Sequence, residues 1–257
     1  MEKLIKNILN DNLIYEYSFC SFAAVENYLL PCRAASRLPK NSKTIIMVAF
    51  PYKVKNRPPA NISRYAAVPD YHLVCGKFLN DAANALKAQF PQNEFAVFLD
   101  NSPIPEVYAA AYSGLGVKGL NGLLIHKKYG SYVFLGEIVT DLELPTAKFD
   151  QKCLECSQCI KHCNSVTNKK ECLSAVNQQK NGLTKAQEAQ IKASGLCWGC
   201  DVCSEVCPMN KNTQTTYIPE FINGYRECYS PTEDPKDRAY NWRGPGVIKR
   251  NYNLINE

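Results

Sequence analysis

Two cysteine runs of identical spacing constrain this chain more than any other feature. Cys153, Cys156, Cys159 and Cys163 stand as C-x2-C-x2-C-x3-C, and Cys197, Cys200, Cys203 and Cys207 repeat the pattern, with Pro208 following. This spacing holds cubane iron–sulfur clusters, because three closely spaced thiolates wrap one cube while the fourth reaches to the other. Two runs therefore predict two 4Fe–4S clusters close enough to exchange electrons, carried on short helices and ligand loops. The alternatives are a disulfide framework, which needs a secreted chain, and zinc, which favours paired CxxC motifs without the third and fourth members. Nine of the thirteen cysteines lie between 153 and 207, a clustering that points to metal.

At 257 residues the chain can form one large domain or two small ones, and 46% apolar content suffices for a core. The N-terminal stretch carries Asp11 and Glu16 and no long apolar run, so no signal peptide is expected. The longest strongly apolar run, residues 45–50, is too short to span a bilayer. The expectation is a soluble, cytoplasmic, oxygen-sensitive protein with no membrane partner. Net charge is +6, and Arg33, Arg37, Lys40, Lys43, Lys53, Lys55, Arg57 and Arg64 follow one another with no intervening acid. Such a segment favours an anionic partner (phosphate, nucleic acid or a nucleotide tail) unless it is simply a solvated basic face.

Periodicity predicts a helix over 2–15 and a buried strand over 44–50, ended by Pro51 and followed by a Pro-rich loop over 51–61. A helix over 70–90 places Leu73, Phe78, Leu79, Ala82 and Leu86 mostly on one face. A strand over 94–99 and a helix over 103–113 follow, with Gly114 suited to the C-terminal turn. Segments 122–126 and 131–139 read as strands of a hairpin joined across 127–130. The fold class is α+β. Its expected division is 1–148 as an α+β domain, 149–212 as the cluster domain and 213–257 as an extension wrapping the surface, with a short linker near 145–150.

Several segments beside the cysteines carry a more specific signal. Residues 62–66 (Ile-Ser-Arg-Tyr-Ala), 70–72 (Asp-Tyr-His), 100–103 (Asp-Asn-Ser-Pro), 114–116 (Gly-Leu-Gly) and 130–137 (Gly-Ser-Tyr-Val-Phe-Leu-Gly-Glu) occur in that order. With 198–203 (Trp-Gly-Cys-Asp-Val-Cys) and 206–210 (Val-Cys-Pro-Met-Asn), they resemble the epoxyqueuosine reductases, cobalamin-dependent iron–sulfur enzymes of tRNA modification. The resemblance covers about residues 40–212. It implies a nitroreductase-like cobalamin-binding domain followed by a two-cluster ferredoxin-like domain. It also implies a low-potential electron donor, a ferredoxin or flavodoxin, since ferredoxin-type centres sit near about −400 mV.

The same resemblance makes Asp100 the catalytic proton donor above the corrin and places Arg64, Asp70, His72, Gly119 and Asn121 at the cobalamin. Asp100 ends an apolar run, so partial burial is expected, and a carboxyl so placed can keep its proton near neutrality. Read alone, it is better taken as a turn or N-cap residue ahead of the next helix. His72 alone would be an ordinary core or surface histidine. A turn rich in Gly114, Gly116, Gly119 and Gly122 lets backbone approach a bulky planar ligand, although such turns mostly serve chain reversal.

The chain also departs from the family pattern. Gly119-Leu120-Asn121 stands where Gly-Lys-Asn is usual, with Lys118 two places earlier, and Asn164 replaces the proline after the first run. For the clusters, the resemblance assigns Cys153, Cys156, Cys159 and Cys207 to one and Cys163, Cys172, Cys200 and Cys203 to the other. Cys197 is then left free, whereas spacing alone selects Cys197 over Cys172. Cys20, Cys32, Cys75 and Cys228 read as small apolar residues. Long members of the family continue into helical repeats that help hold tRNA. Here tRNA contact is expected from the basic 33–64 segment, from Tyr240, Trp242, Arg243, Lys249 and Arg250, or from a partner. The competing functions are cobalamin-dependent reduction of a small molecule, as in reductive dehalogenation, and non-catalytic electron transfer or cobalamin handling.

Overall fold

In the computed structural model, which describes residues 1–55 and 60–257, the chain opens with helix α1 (Glu2–Asp11). Ile5, Ile8 and Leu9 recur at helical spacing and are its buried face. Strands β1 (Tyr17–Ser21) and β2 (Thr44–Pro51) follow, then helix α2 (Tyr71–Gln89), β3 (Phe95–Phe98) and helix α3 (Glu106–Tyr112). Short strands β4 (Val117–Lys118) and β5 (Leu124–Ile125) precede β6 (Val133–Thr140). The main sheet is antiparallel in the order β1-β2-β6-β3. β2 is buried at every position, as its unbroken apolar run requires of a central strand.

Contacts gather the chain into two compact units, Met1–Pro51 with His72–Glu155, and Tyr52–Tyr71 with Cys156–Glu257. The first holds the sheets just described. The second is built from helices α4 (Gln158–His162), α5 (Leu173–Val176), α6 (Lys185–Ser194), α7 (Val202–Glu205), α8 (Pro219–Asn223) and α9 (Pro245–Asn256). Its core joins Ile62, Ala66 and Ala67 to Cys197, Trp198, Tyr229, Tyr240, Val247 and Ile248. Among the described residues no helix is long and apolar enough to cross a membrane.

The structure corrects several expectations. β1 lacks a strong sequence signal, because only Cys20 of its five residues is fully buried. Segments 122–126 and 131–139 do not form a hairpin: β5 pairs with β4, while β6 lies between β2 and β3. Only one bridge, His126 to Gly130, remains of that pairing. Two reciprocal backbone bonds of 2.9 and 2.8 Å close the turn there, and Gly130, with φ +60°, lets the chain turn away. Leu73 is 62% exposed, and the buried face of α2 starts instead at Cys75, running through Phe78, Leu79, Ala82, Ala83 and Leu86. Arg57 and most of the loop expected at 51–61 lie outside the described residues.

Buried polar side chains organise the second unit. Asn251, fully buried, donates through Nδ2 to the carbonyls of Asn177 (2.6 Å) and Cys197 (2.9 Å). Asn177 in turn exchanges two hydrogen bonds with the Gly199 backbone. Arg238, 1% exposed, donates to the carbonyls of Ala67 and Gly224. A buried carbonyl stripped of its donor costs roughly 1–3 kcal/mol. Asn251→Ala is therefore expected to lower the stability of the full chain by about 2 kcal/mol, read as a shift in the chemical-denaturation midpoint. An unchanged midpoint would show that these bonds contribute nothing net.

Candidate functional site

In the second unit, α4 carries Cys159, α7 carries Cys203, and the two helices pack against each other. That packing brings the two cysteine runs together. The thiol of Cys207 has Cys156 and Cys159 as electrostatic neighbours and receives the backbone N–H groups of Met209 and Asn210. The thiol of Cys200 has Cys203 and Cys172 as neighbours and receives the N–H of Val202. Burial, with added repulsion from Asp201 and those two thiols, pushes Cys200 up to about 11. Cys163 lines a surface cavity of about 570 Å³ with His162, Lys170 and Glu171. Cys153, half-buried, lies at the end of the first unit, three residues before Cys156. Ser157 adopts a left-handed φ of 58° in the loop that bears Cys156. Among the described residues no three His, Cys, Asp or Glu side chains converge on one metal-ion position. In a cubane each thiolate binds a different iron, so cluster ligands surround a volume rather than a point.

Cys197 is placed differently. It is fully buried in the core beside Trp198 and Tyr229, and its Sγ donates to the carbonyl of Asn61 at 2.9 Å. Burial pushes this thiol up to about 12. The residues next to it explain the geometry. Cys197 N–H donates to Asn61 and Ser63 N–H to Trp198, so residues 61–63 run beside 197–198 as a parallel bridge. Gly199, at φ +69°, allows the close approach, since a Cβ there would lie 2.0 Å from Ser63 Oγ. Cys20 and Cys75 are buried, as expected of small apolar residues, whereas Cys228 is exposed.

In the first unit Asp100 and His72 come together, with His72 Nε2 3.6 Å from Asp100 Oδ2. Asp100 is more open than its position after an apolar run suggests: its side chain is 66% exposed and that of His72 41%. The exposure has a backbone cause. Asp100 takes a left-handed φ of 62°, tolerable for aspartate, which turns the chain out of β3 before the next residue. Beneath this turn lies a group that sequence reasoning missed. Glu137, fully buried on β6, accepts a short hydrogen bond from Ser102 Oγ, and its carboxyl reaches that of Glu106 at the start of α3. The Glu106 carboxyl also accepts the backbone N–H of Asp100. Burial, followed by the Asp100 charge, pushes Glu106 up to about 7, and burial with the Glu106 charge raises Glu137 well above the carboxylate range. The available signal was a single acid inside the apolar β6 run, since an acid so placed demands partners.

The remaining sequence candidates have local partners. Arg64 donates its backbone N–H to Asp201 Oδ2 at 2.7 Å, and its guanidinium meets Glu205 Oε1 at 3.2 Å, so it braces α7 within the second unit. Asp70 donates its backbone N–H to Asp237 O at 2.8 Å in the same unit. Gly119 and Asn121 form a tight turn in which Asn121 Oδ1 accepts Leu123 N–H; a Cβ on Gly119 would lie 2.5 Å from that oxygen. Leu120 and Leu123 on this turn are exposed, as is Leu73 beside His72. Of the basic segment, Lys43 pairs with Glu143, Lys55 with Glu227 and Arg64 with Glu205, and Lys53 is buried against Thr213. Arg33 and Lys40 are exposed. In the C-terminal segment Tyr240 is a core residue, 1% exposed, and not a surface ring; Trp242 is exposed with Arg243 stacked 3.6 Å over it.

Comparison with known proteins places this geometry. Residues 33–101 match the family model of epoxyqueuosine reductase QueG, DUF1730. The epoxyqueuosine reductase of Lactococcus garvieae is 32% identical over 241 residues, covering 82% of this chain and 68% of that protein. Those of Aliivibrio fischeri (31% identical; 67% of this chain, 48% of that one) and Gloeobacter violaceus (35%; 65% and 56%) are also similar. The chain thus spans between 48% and 68% of the length of these curated relatives. The fold matches that of the Streptococcus thermophilus epoxyqueuosine reductase with a TM-score of 0.81 at 23% identity, over 99% of this chain and 80% of that one. It also matches an epoxyqueuosine reductase solved with an epoxyqueuosine-modified tRNA-Tyr stem loop, with a TM-score of 0.80 at 22% identity, over the same shares. Identity of this order across two thirds of a relative's length settles the affiliation: the chain belongs to the epoxyqueuosine reductase family.

Proposed function

We propose that this protein reduces epoxyqueuosine to queuosine in tRNA, with Asp100 as the proton donor. The observation that carries the reading is the turn at Asp100, which presents a carboxyl to solvent beside His72 on an anchored, left-handed backbone. Relatives named for this activity support it, as does the structural neighbour solved with the modified stem loop. The first unit is read as the nitroreductase-like cobalamin domain and the cluster loops as the ferredoxin-like part, within the cytoplasm.

The residues fit the groups that the family implies. Cys156, Cys159 and Cys207, joined by Cys153 from the spacing, would hold one 4Fe–4S cluster; Cys163, Cys172, Cys200 and Cys203 would hold the other. Backbone N–H groups already aimed at Cys200 and Cys207 suit thiolates, whose charge they would stabilise. Exposed Leu73 and Leu120, next in sequence to His72 and Asn121, suit an apolar planar ligand such as cobalamin, with Gly119 as a further candidate contact in the same unit. When bound, the clusters and the corrin supply the two electrons of the reduction.

The chain's own part is acid chemistry and binding. Conversion of an epoxide to an alkene consumes two electrons and two protons and releases water, so the departing oxygen must be protonated. Asp100 is the residue placed to give that proton, and His72, 3.6 Å away, orients it. Exposed Arg33 and Lys40 are candidate phosphate contacts for the RNA, while a ferredoxin or flavodoxin is the proposed donor.

Asp100→Asn keeps the shape and the left-handed turn but removes the acid. Turnover of epoxyqueuosine tRNA is expected to fall by at least about 100-fold with iron and cobalamin contents unchanged; undiminished turnover would remove Asp100 from the mechanism. Cys172→Ser is expected to lose the iron of one cluster after anaerobic reconstitution, whereas Cys197→Ser retains the full content. The opposite pattern would assign the eighth thiolate to Cys197. Mass spectrometry of tRNA from a deletion strain lacking any second reductase tests the substrate. Accumulated epoxyqueuosine supports this reading, and normal queuosine would move the activity to a small molecule.

A further inference from the structure

The carboxyls of Glu106 and Glu137 meet in a dry setting. On the sheet, Glu137 lies opposite Met47 of β2 and Phe98 of β3, and the surrounding core contributes Ile104, Ala109 and Ala110. Glu137 Oε1 accepts from Ser102 Oγ, whose oxygen also receives the N–H of Ile104. The two oxygens left over, Glu137 Oε2 and Glu106 Oε1, are both buried and neither has a donor. Two ionised carboxylates cannot satisfy each other, because both only accept. One proton between them satisfies both oxygens at once and removes the repulsion of two buried like charges.

The position of that proton follows from the donors around each group. Glu137 has one hydroxyl donor and no route to water, which disfavours its charge. Glu106 receives the backbone N–H of Asp100 and can receive the Glu137 proton as well. Charge therefore gathers on Glu106, directly under the turn that presents Asp100. The titratable groups facing this site are Asp100, with His72 beyond it, and the two glutamates themselves.

We propose that Glu137 holds a proton that it donates to Glu106, and that the single negative charge so placed makes Glu106 a positioning residue for Asp100. Its carboxyl anchors the Asp100 backbone, and its charge favours the protonated form of the Asp100 side chain. This rests on the reading of Asp100 as proton donor. The coupling is reciprocal: loss of the proton from Asp100 strengthens the hold of Glu106 on a proton, and Asp100 itself regains its proton from solvent, to which its side chain is open.

Carboxyl 13C NMR of the full, reconstituted chain labelled at Asp and Glu tests the proposal without turnover. Signals are assigned by their loss in Asp100→Asn, Glu106→Gln and Glu137→Gln. In the unchanged protein Glu137 is expected to remain protonated through pH 7. Glu106→Gln leaves a protonated, neutral Glu137 as the only acid below the turn, so the Asp100 midpoint falls by roughly one pH unit. Glu137→Gln leaves the Glu106 charge, its burial and its Asp100 neighbour in place, and the Gln amide can still donate to the Glu106 carboxyl, so the Asp100 midpoint holds and that of Glu106 does not fall. This asymmetry is what a merely structural role would not produce. Ionisation of both glutamates in the ordinary range, or an Asp100 midpoint unmoved by Glu106→Gln, would overturn the proposal. Full activity of Asp100→Asn, by contrast, would remove the donor role while leaving the titrations to judge the pair.

Discussion

The second cysteine run takes its shape from two backbone hydrogen bonds, Cys197 N–H to Asn61 O and Ser63 N–H to Trp198 O. They lay the chain before Cys200 against residues 61–63 so closely that only glycine fits at 199. Three consequences follow in the same unit. Cys197 is drawn into the core, where its thiol satisfies a carbonyl. Trp198 is buried, with its Nε1 donating to Tyr65 at 2.8 Å. Beyond Gly199, Cys200 and Cys203 lie toward Cys172. A repeat that is symmetric in sequence is thus asymmetric in space, because one of its cysteines serves packing.

What was legible in the sequence followed the strength of the local signal. β2 was visible because an unbroken apolar run has few alternatives to burial, and β6 because its residues are apolar or β-branched on both sides of Gly136 and Glu137. β1 was not, since its residues are mostly half-buried and its pairing depends on β2. The partner of β5 leaves too short a pattern to read, because β4 is only two residues long; the two form their own hairpin across the turn at 119–123. At the candidate site, Asp100 and His72 were found through motifs, and the structure brings them together. The exposure of Asp100 was misjudged because a left-handed residue redirects the chain, and no composition rule reports a φ angle. Glu137 stood in plain view as an acid within a strand, yet its partner Glu106 lies thirty-one positions earlier, beyond the reach of any local pattern.

Two irregular segments of this protein are held by buried polar groups. Asn177 and Asn251 fix the backbone around the cysteine loops, and Ser102 and Glu106 fix that around Asp100. Both arrangements spend buried hydrogen-bonding capacity on an irregular segment that carries chemistry. Regular elements need no such support, since their ladders satisfy the main chain internally.

The second unit is discontinuous along the chain, and this sets a schedule for synthesis. Residues 52–71 carry Ile62, Ala66 and Ala67, yet the side chains that bury them come from Cys197 onward. Asn61 and Cys197 are 136 positions apart. At about 5–20 residues per second a ribosome takes on the order of ten seconds to cover that distance. Throughout that interval an apolar segment waits uncovered, until Cys197, Trp198 and the core residues that follow them have been made.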